Sequence, residues 1–142
     1  MSVREAMVDD LPEILRMGRL FAEGCGIDVE FDEISAEATA LALMEDDNGC
    51  LYIDRGGMLG GIVYPHYFNH GKTIAQELFW WCDPEARGTG VGRELFQAFE
   101  AWAQVRGATH ISMIALASQK PVGRLYERRG YRAMESTFVR MI

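Results

Sequence analysis

The chain has 142 residues, 49% hydrophobic and 25% charged, which is one domain's worth of ordinary globular composition and excludes a disordered protein. A formal charge of −7 excludes a general nucleic-acid binder, which needs Lys and Arg to neutralise phosphates, and no apolar run reaches the ~20 residues of a membrane-spanning helix. Cys25, Cys50 and Cys82 are odd in number and form no Cys-x-x-Cys pair, so neither a disulfide framework nor a metal site is indicated.

Asp9-Asp10-Leu11-Pro12-Glu13 reads as a helix start, with a capping aspartate and a proline in the first turn. Leu11, Ile14, Leu15, Gly18, Phe21 and Ala22 then share one helical stripe, which Gly24-Cys25-Gly26 ends. Residues 28–33 read as an acidic loop, and Ser35 as the cap of a second helix to about Glu45. Residues 1–50 hold 13 acidic and 3 basic side chains, a net of −10; the remainder is net +3. That split is either a face with a partner of opposite charge or a solvated acidic surface.

After the turn Asp46-Asp47-Asn48-Gly49, residues 50–54 and 58–64 read as strands flanking an Arg55-Gly56-Gly57 hairpin turn. Residues 66–71 form a second connection, and residues 73–82 a long strand ending at Asp83-Pro84. Next comes Arg87-Gly88-Thr89-Gly90-Val91-Gly92, then an amphipathic helix whose Val91, Leu95, Phe99, Trp102 and Val105 face one way, stopped by Gly107. Residues 108–116 read as a strand, Pro121 opens a short helix ended by Gly130, and residues 131–142 read as a last extended segment. The expected order is ααβββαβαβ: an α/β (α+β) single domain over residues 1–142, with a mixed sheet and a βαβ crossover over residues 73–116. With no signal-type stretch at the start, the expectation is a cytoplasmic protein.

The glycine turn carries the chemistry. Alternating glycines between a strand and a helix let backbone approach a ligand, and the helix start presents unpaired N–H groups at the positive end of its dipole. Together they suit a pyrophosphate, with Arg87 as a neighbouring cation. Spelling excludes two other phosphate motifs. A P-loop needs Gly-Lys-Ser/Thr where Gly92-Arg93-Glu94 stands, and the dinucleotide fingerprint needs glycine where Arg93 or Leu95 stands.

The stretch from Trp81 through Arg87, Gly90 and Gly92 to Leu95 resembles the signature of the GNAT superfamily of acyl-CoA-dependent N-acyltransferases, whose core is Arg/Gln-x-x-Gly-x-Gly/Ala. Downstream, Tyr126-Glu127-Arg128-Arg129-Gly130-Tyr131 resembles the family's Tyr-x-x-x-Gly-Phe/Tyr segment, and the element order agrees along essentially the whole chain. The resemblance implies a GNAT-like fold with helices on both sheet faces. It also implies an N-acetyltransferase using acetyl-CoA, without a metal, by direct attack of an amine in a ternary complex. Backbone around Arg87, Gly88, Thr89, Gly90, Val91 and Gly92 would hold the CoA pyrophosphate, while the strand Trp80, Trp81 and Cys82 would pair its backbone with the pantetheine arm and acyl carbonyl, and Gln119 would also meet the cofactor. Tyr126 sits where the family often keeps a general acid, since expulsion of a thiolate needs a proton donor.

This sequence departs from the family at three places. Ser118-Gln119 replaces the asparagine common before the last helix; Ile114 stands where some members carry a glutamate base; and residues 132–142 leave room for one closing strand or a very tight hairpin, where the family usually has two strands. Glu77 becomes the candidate base, with His66 and His70 in reserve. Glu30, Asp32 and Glu33 would face a cationic amine acceptor. The open alternative is a catalytically weak acyl-CoA-binding regulator or scaffold of the same fold. The short closing segment, leaving a sheet edge to cover, suggests a homodimer.

Overall fold

The computed structural model describes residues 2–142. β1 (Arg4–Glu5) leads through a single 3-10 turn (Val8–Asp10) into α1 (Leu11–Gly24), followed by α2 (Glu33–Glu45). Next come β2 (Gly49–Asp54), β3 (Gly57–His66) and β4 (Asn69–Cys82), a second 3-10 turn (Pro84–Ala86), α3 (Val91–Val105), β5 (His110–Ser112) and α4 (Lys120–Arg128). The sheet runs in the order β1-β2-β3-β4-β5, antiparallel except for the parallel β4–β5 pair. The mixed sheet and its crossover through α3 match the expectation.

Alternation along the strands sorts the core onto two faces. On one, Leu51, Ile53 and Met58 pack against Leu11, Ile14 and Met17 of α1 and Ala40 and Leu43 of α2. On the other, Cys50, Leu59, Val63 and Ala75 pack against Val91, Leu95, Phe99 and Ala103 of α3. β2 and β3 join through Arg55-Gly56, where Gly56 has φ of 69°, a conformation that favours glycine.

β3 brings two adjacent glycines to the middle of the sheet. A Cβ on Gly60 would lie 2.4 Å from the Phe79 ring, and one on Gly61 would lie 2.4 Å from Phe99. The two rings lie on bare backbone, one on each face. The β3–β4 register shifts at the same point: Gly60 pairs with Phe79 and Gly61 with Glu77, so Leu78 is the extra residue of a β-bulge.

Several local expectations need correction. Asp32, not Ser35, caps α2: its carboxylate accepts the Ser35 N–H at 2.9 Å and the Ser35 hydroxyl at 2.5 Å. Asp10 stands at the α1 N-cap without capping it, because its carboxylate takes the Met7 N–H and the Arg4 guanidinium. β3 and β4 run on to a two-residue connection, Tyr67-Phe68, where a longer loop was expected. β5 has three residues where nine were expected, because its ladder stops at Gln76–Ser112. Residues 131–142 form no strand, and from residue 132 every side chain is exposed, Met134, Phe138 and Ile142 included. A strand requires a ladder partner, and among the described residues that segment has none.

Candidate active site

Two features lie along the second half of β4: a fork at Gln76–Glu77 where β5 parts from it, and, after its end at Cys82, the turn into α3.

At the α3 start, Gly88 and Gly90 have φ of 81° and 96°, and no atom lies within 4 Å of where either Cβ would stand. Gly90 is the N-cap in a left-handed conformation, and no side chain caps the helix. The first-turn amides therefore face open space at the positive end of a 15-residue helix. Val91 is buried against the core and fixes the helix's approach. Gly92 lets the helix sit on β4, since a Cβ there would be 3.3 Å from the Cys82 sulfur and 3.5 Å from Trp80. Thr89 closes the turn by donating its hydroxyl to the Ala86 carbonyl. Arg87 donates from Nε to the Cys82 carbonyl at 2.9 Å, with its guanidinium 5.1 Å from the Trp81 ring centroid, which fixes a cation beside the cradle.

The Trp pair divides between the faces. Trp81 packs toward α1 and donates its indole N–H to Asp83. Trp80 packs toward α3, 5.4 Å from the Phe96 ring, and its indole Nε1 is buried with no partner among the described residues. An orphan buried donor next to Gly92, beside an open amide cradle, fits an acceptor-rich phosphate and amide chain such as that of CoA. Burial pushes the Cys82 thiol up to about 11, so it is not a thiolate near neutral pH.

Sequence reasoning missed what holds this corner. Asp83 is buried, and Arg16 of α1 reaches it with both terminal nitrogens, at 2.6 and 3.3 Å, while also binding Glu13. Burial would raise the Asp83 carboxyl, but Arg16 and Trp81 hold it below the usual range. Acid–base pairs far apart in sequence leave no local pattern to read.

At the fork the β4–β5 ladder ends with Gln76–Ser112, one residue before Glu77. Glu77 is 3% exposed, and its Oε1 accepts the Ile114 N–H at 3.0 Å. Tyr126 of α4, 6% exposed, donates its hydroxyl to the Ile114 carbonyl at 2.8 Å. The two candidate catalytic groups therefore meet at one residue, on the two successive peptide groups that flank the Ile114 Cα, and Ile114 supplies backbone in place of a glutamate. Burial pushes the Glu77 carboxyl up to about 7, against the opposing pull of the Ile114 N–H. Burial also raises the Tyr126 phenol, and the nearby Glu77 charge adds to it. The Tyr126 ring packs against Phe96, Trp80 and Tyr131, and Tyr131 is anchored by its hydroxyl on Glu100.

The remaining candidates lie elsewhere. Gln119 is exposed at the α4 N-cap, with no side-chain capping bond. Glu30 lines two open cavities of about 440 and 420 Å³ beside the α1–α2 loop; Glu23 and Asp28 line the first. Asp32 lines the second but is occupied as a cap, and Glu33 belongs to the first turn of α2. α1 connects this region to β4 through Phe21, 6.3 Å from Phe79. His66 stacks on Tyr67 at the exposed β3–β4 tip, with its Nδ1 accepting the Phe68 N–H.

Known proteins agree with this architecture. A structure described as a transcriptional regulator from Bacillus halodurans superposes with a TM-score of 0.82 at 22% identity, over 99% of both chains. A ribosomal-protein-alanine N-acetyltransferase from Brucella melitensis gives 0.72 at 16% identity, over 100% of both. AAC(6')-Iy, in complex with the bisubstrate analog CoA-S-monomethyl-acetylneamine, gives 0.79 at 13% identity, over 99% of this chain and 96% of that one. No curated protein sequence matches the chain. The family model described as the acetyltransferase (GNAT) family matches residues 11–131, a span that holds the glycine turn, the fork and both catalytic candidates, and the chain therefore belongs to that family.

Proposed function

We propose that the protein is an acyl-CoA-dependent N-acetyltransferase that passes an acetyl group from acetyl-CoA to a primary amine by direct attack. The observation that carries this reading is the convergence of a carboxyl and a phenol on the N–H and the carbonyl of Ile114, along the strand that leads into an open glycine cradle. The thioester supplies an acyl carbon with a good leaving group, and the chain supplies position and protons. Arg87 and the amides from Gly88 to Gly92 bind the pyrophosphate, and the backbone of Trp80, Trp81 and Cys82 pairs with the arm. Gln119, exposed at the α4 N-cap, would meet the arm on this reading. The acceptor first gives its ammonium proton to solvent; as the neutral amine nitrogen bonds to the acyl carbon, Glu77 takes a second proton on the oxygen not bound to Ile114. A carboxyl with a pKa of about 7 is matched to that task at neutral pH. The C–S bond breaks with its electron pair leaving on sulfur, and Tyr126 turns its hydroxyl from Ile114 to give that sulfur a proton. The high thiol pKa of Cys82 argues against an acyl-cysteine route.

The acceptor in this reading is cationic before it reacts. Glu23, Asp28 and Glu30 outnumber Arg19 at the first cavity, and with Glu33 and Asp32 nearby they make a net acidic wall that attracts ammonium groups. Aminoglycoside-like amines, polyamines and protein amines fit it; acidic amino acids do not. Release of free CoA thiol from acetyl-CoA across such a panel tests the function. Tight acetyl-CoA binding without turnover on any amine would favour the scaffold alternative. The unpaired outer edge of β5 and the exposed segment 131–142 support a homodimer, which a monomeric mass by light scattering at high concentration would refute.

A further inference from the structure

Where two strands part inside a sheet, each backbone group that loses its ladder partner needs another one, water or side chain. At the β4–β5 fork side chains supply them. Beyond the last rung, the Ile114 N–H goes to Glu77 Oε1 and the Ile114 carbonyl to Tyr126. Gln76 Nε2 donates to the Glu77 carbonyl at 2.8 Å and reaches the Ser112 carbonyl at 3.4 Å. Two adjacent residues of β4 thus take over backbone partners at the split, immediately before the bulged Leu78 that turns β4 away.

We propose that Gln76 and Glu77 are positioning residues whose side chains replace the lost ladder and hold β5 apart from β4, keeping open the gap that receives the acyl thioester arm. The placement of the arm rests on the acetyltransferase reading; the grip on β5 does not. Tyr126 alone could not do this work, because it must release Ile114 whenever its hydroxyl turns to the leaving sulfur. Glu77 can grip through the whole cycle: its Oε1 accepts from Ile114 whether or not the other oxygen holds a proton. Positioning and proton transfer therefore fall to different oxygens of one carboxyl, and they can be separated by substitution.

Glu77→Gln keeps a carbonyl acceptor for Ile114 and removes the base. Glu77→Leu fills similar volume with no acceptor, and Gln76→Leu removes the neighbouring donor without touching the base. Two readouts apply: hydrogen–deuterium exchange at the Ile114 amide in the free protein, and calorimetric affinity for acetyl-CoA. The wild type and Glu77→Gln should protect the Ile114 amide alike and bind acetyl-CoA within about twofold of each other, while Glu77→Gln turns over poorly. Glu77→Leu should lose that protection and bind acetyl-CoA at least about tenfold more weakly. Gln76→Leu should shift in the same direction by less. Unchanged Ile114 protection and unchanged affinity in Glu77→Leu would overturn the proposal. If Glu77→Leu fails to fold, wild-type values for both readouts in Gln76→Leu, or loss of Ile114 protection in the well-folded Glu77→Gln, would overturn it as well. A wild type that protects Ile114 yet binds no acetyl-CoA would refute the acetyltransferase reading and leave the grip intact.

Discussion

Glu77→Gln has a second signature, in stability. The Glu77 carboxyl moves from 4.5 to about 7 on folding because burial disfavours its charge. The native state therefore keeps a proton that the unfolded chain gives up. The stabilisation is fully present below about pH 4.5 and is lost as pH rises to about 7, at about 1.4 kcal/mol per unit, so the whole loss is roughly 3 kcal/mol. Glutamine is neutral at every pH and cannot show this fall. The difference in unfolding free energy between Glu77→Gln and wild type should thus move in the variant's favour by roughly 3 kcal/mol between about pH 4.5 and about pH 8, nearly all of it before pH 7. Taking the difference cancels the acid-side losses from Asp10, Glu13 and Asp83, whose partners hold them below their usual range in both proteins. Urea melts of both proteins at half-unit pH steps, with the slope checked for constancy, measure it. Two parallel stability curves across that window would refute the reasoning.

Tyr126→Phe should lower kcat on the order of 100-fold by removing the donor to the leaving sulfur, and full activity would reduce Tyr126 to packing. Gly90→Ala meets no atom within 4 Å but must hold φ near 96°, so it should cost about 1–2 kcal/mol of stability and weaken acetyl-CoA at least about tenfold, read by thermal melts and calorimetry. Asp32→Ala should lower the thermal midpoint, and Asp32→Asn should restore most of the loss, because the cap needs only an acceptor for Ser35. With an amine acceptor in hand, kcat/KM should fall as ionic strength rises and the Debye length shrinks to about 10 Å at 0.1 M; salt-insensitive turnover would show the acidic loop to be mere solvated surface.

The elements that bury a stripe were legible in the sequence. Leu95 and Phe99 on α3, and the hairpin at Arg55-Gly56, follow from period and turn chemistry alone. So was the glycine cradle, because left-handed backbone at Gly88 and Gly90 restricts residue choice at those positions. Cap assignment failed where two acceptors competed: Asp32 and Ser35 both suit an N-cap, and only the chain's path decided that the serine donates to the aspartate. The fork was half legible. Glu77 and Tyr126 are marked by the family resemblance, but their meeting at Ile114 depends on the Leu78 bulge, which no local pattern encodes. The final segment was misread because propensity reports what a strand would accept, not whether a partner is there.

The two glycines in the middle of β3 constrain how this sequence can vary. Gly60 is the imprint of the Phe79 ring and Gly61 chiefly of the Phe99 ring, with the Gln76 carbonyl oxygen 3.0 Å from where its Cβ would stand, at separations that leave no room for a methyl group. Neither member of a pair can change size alone. An alanine at Gly60 is tolerable only with a smaller residue at position 79, and that ring also touches Phe21 of α1. Drift on one sheet face is thereby coupled to drift on the helix above it. A selection for suppressors of Gly60→Ala should return changes at Phe79 or Phe21, whereas suppressors of Gly61→Ala should arise on the opposite face, at Phe99.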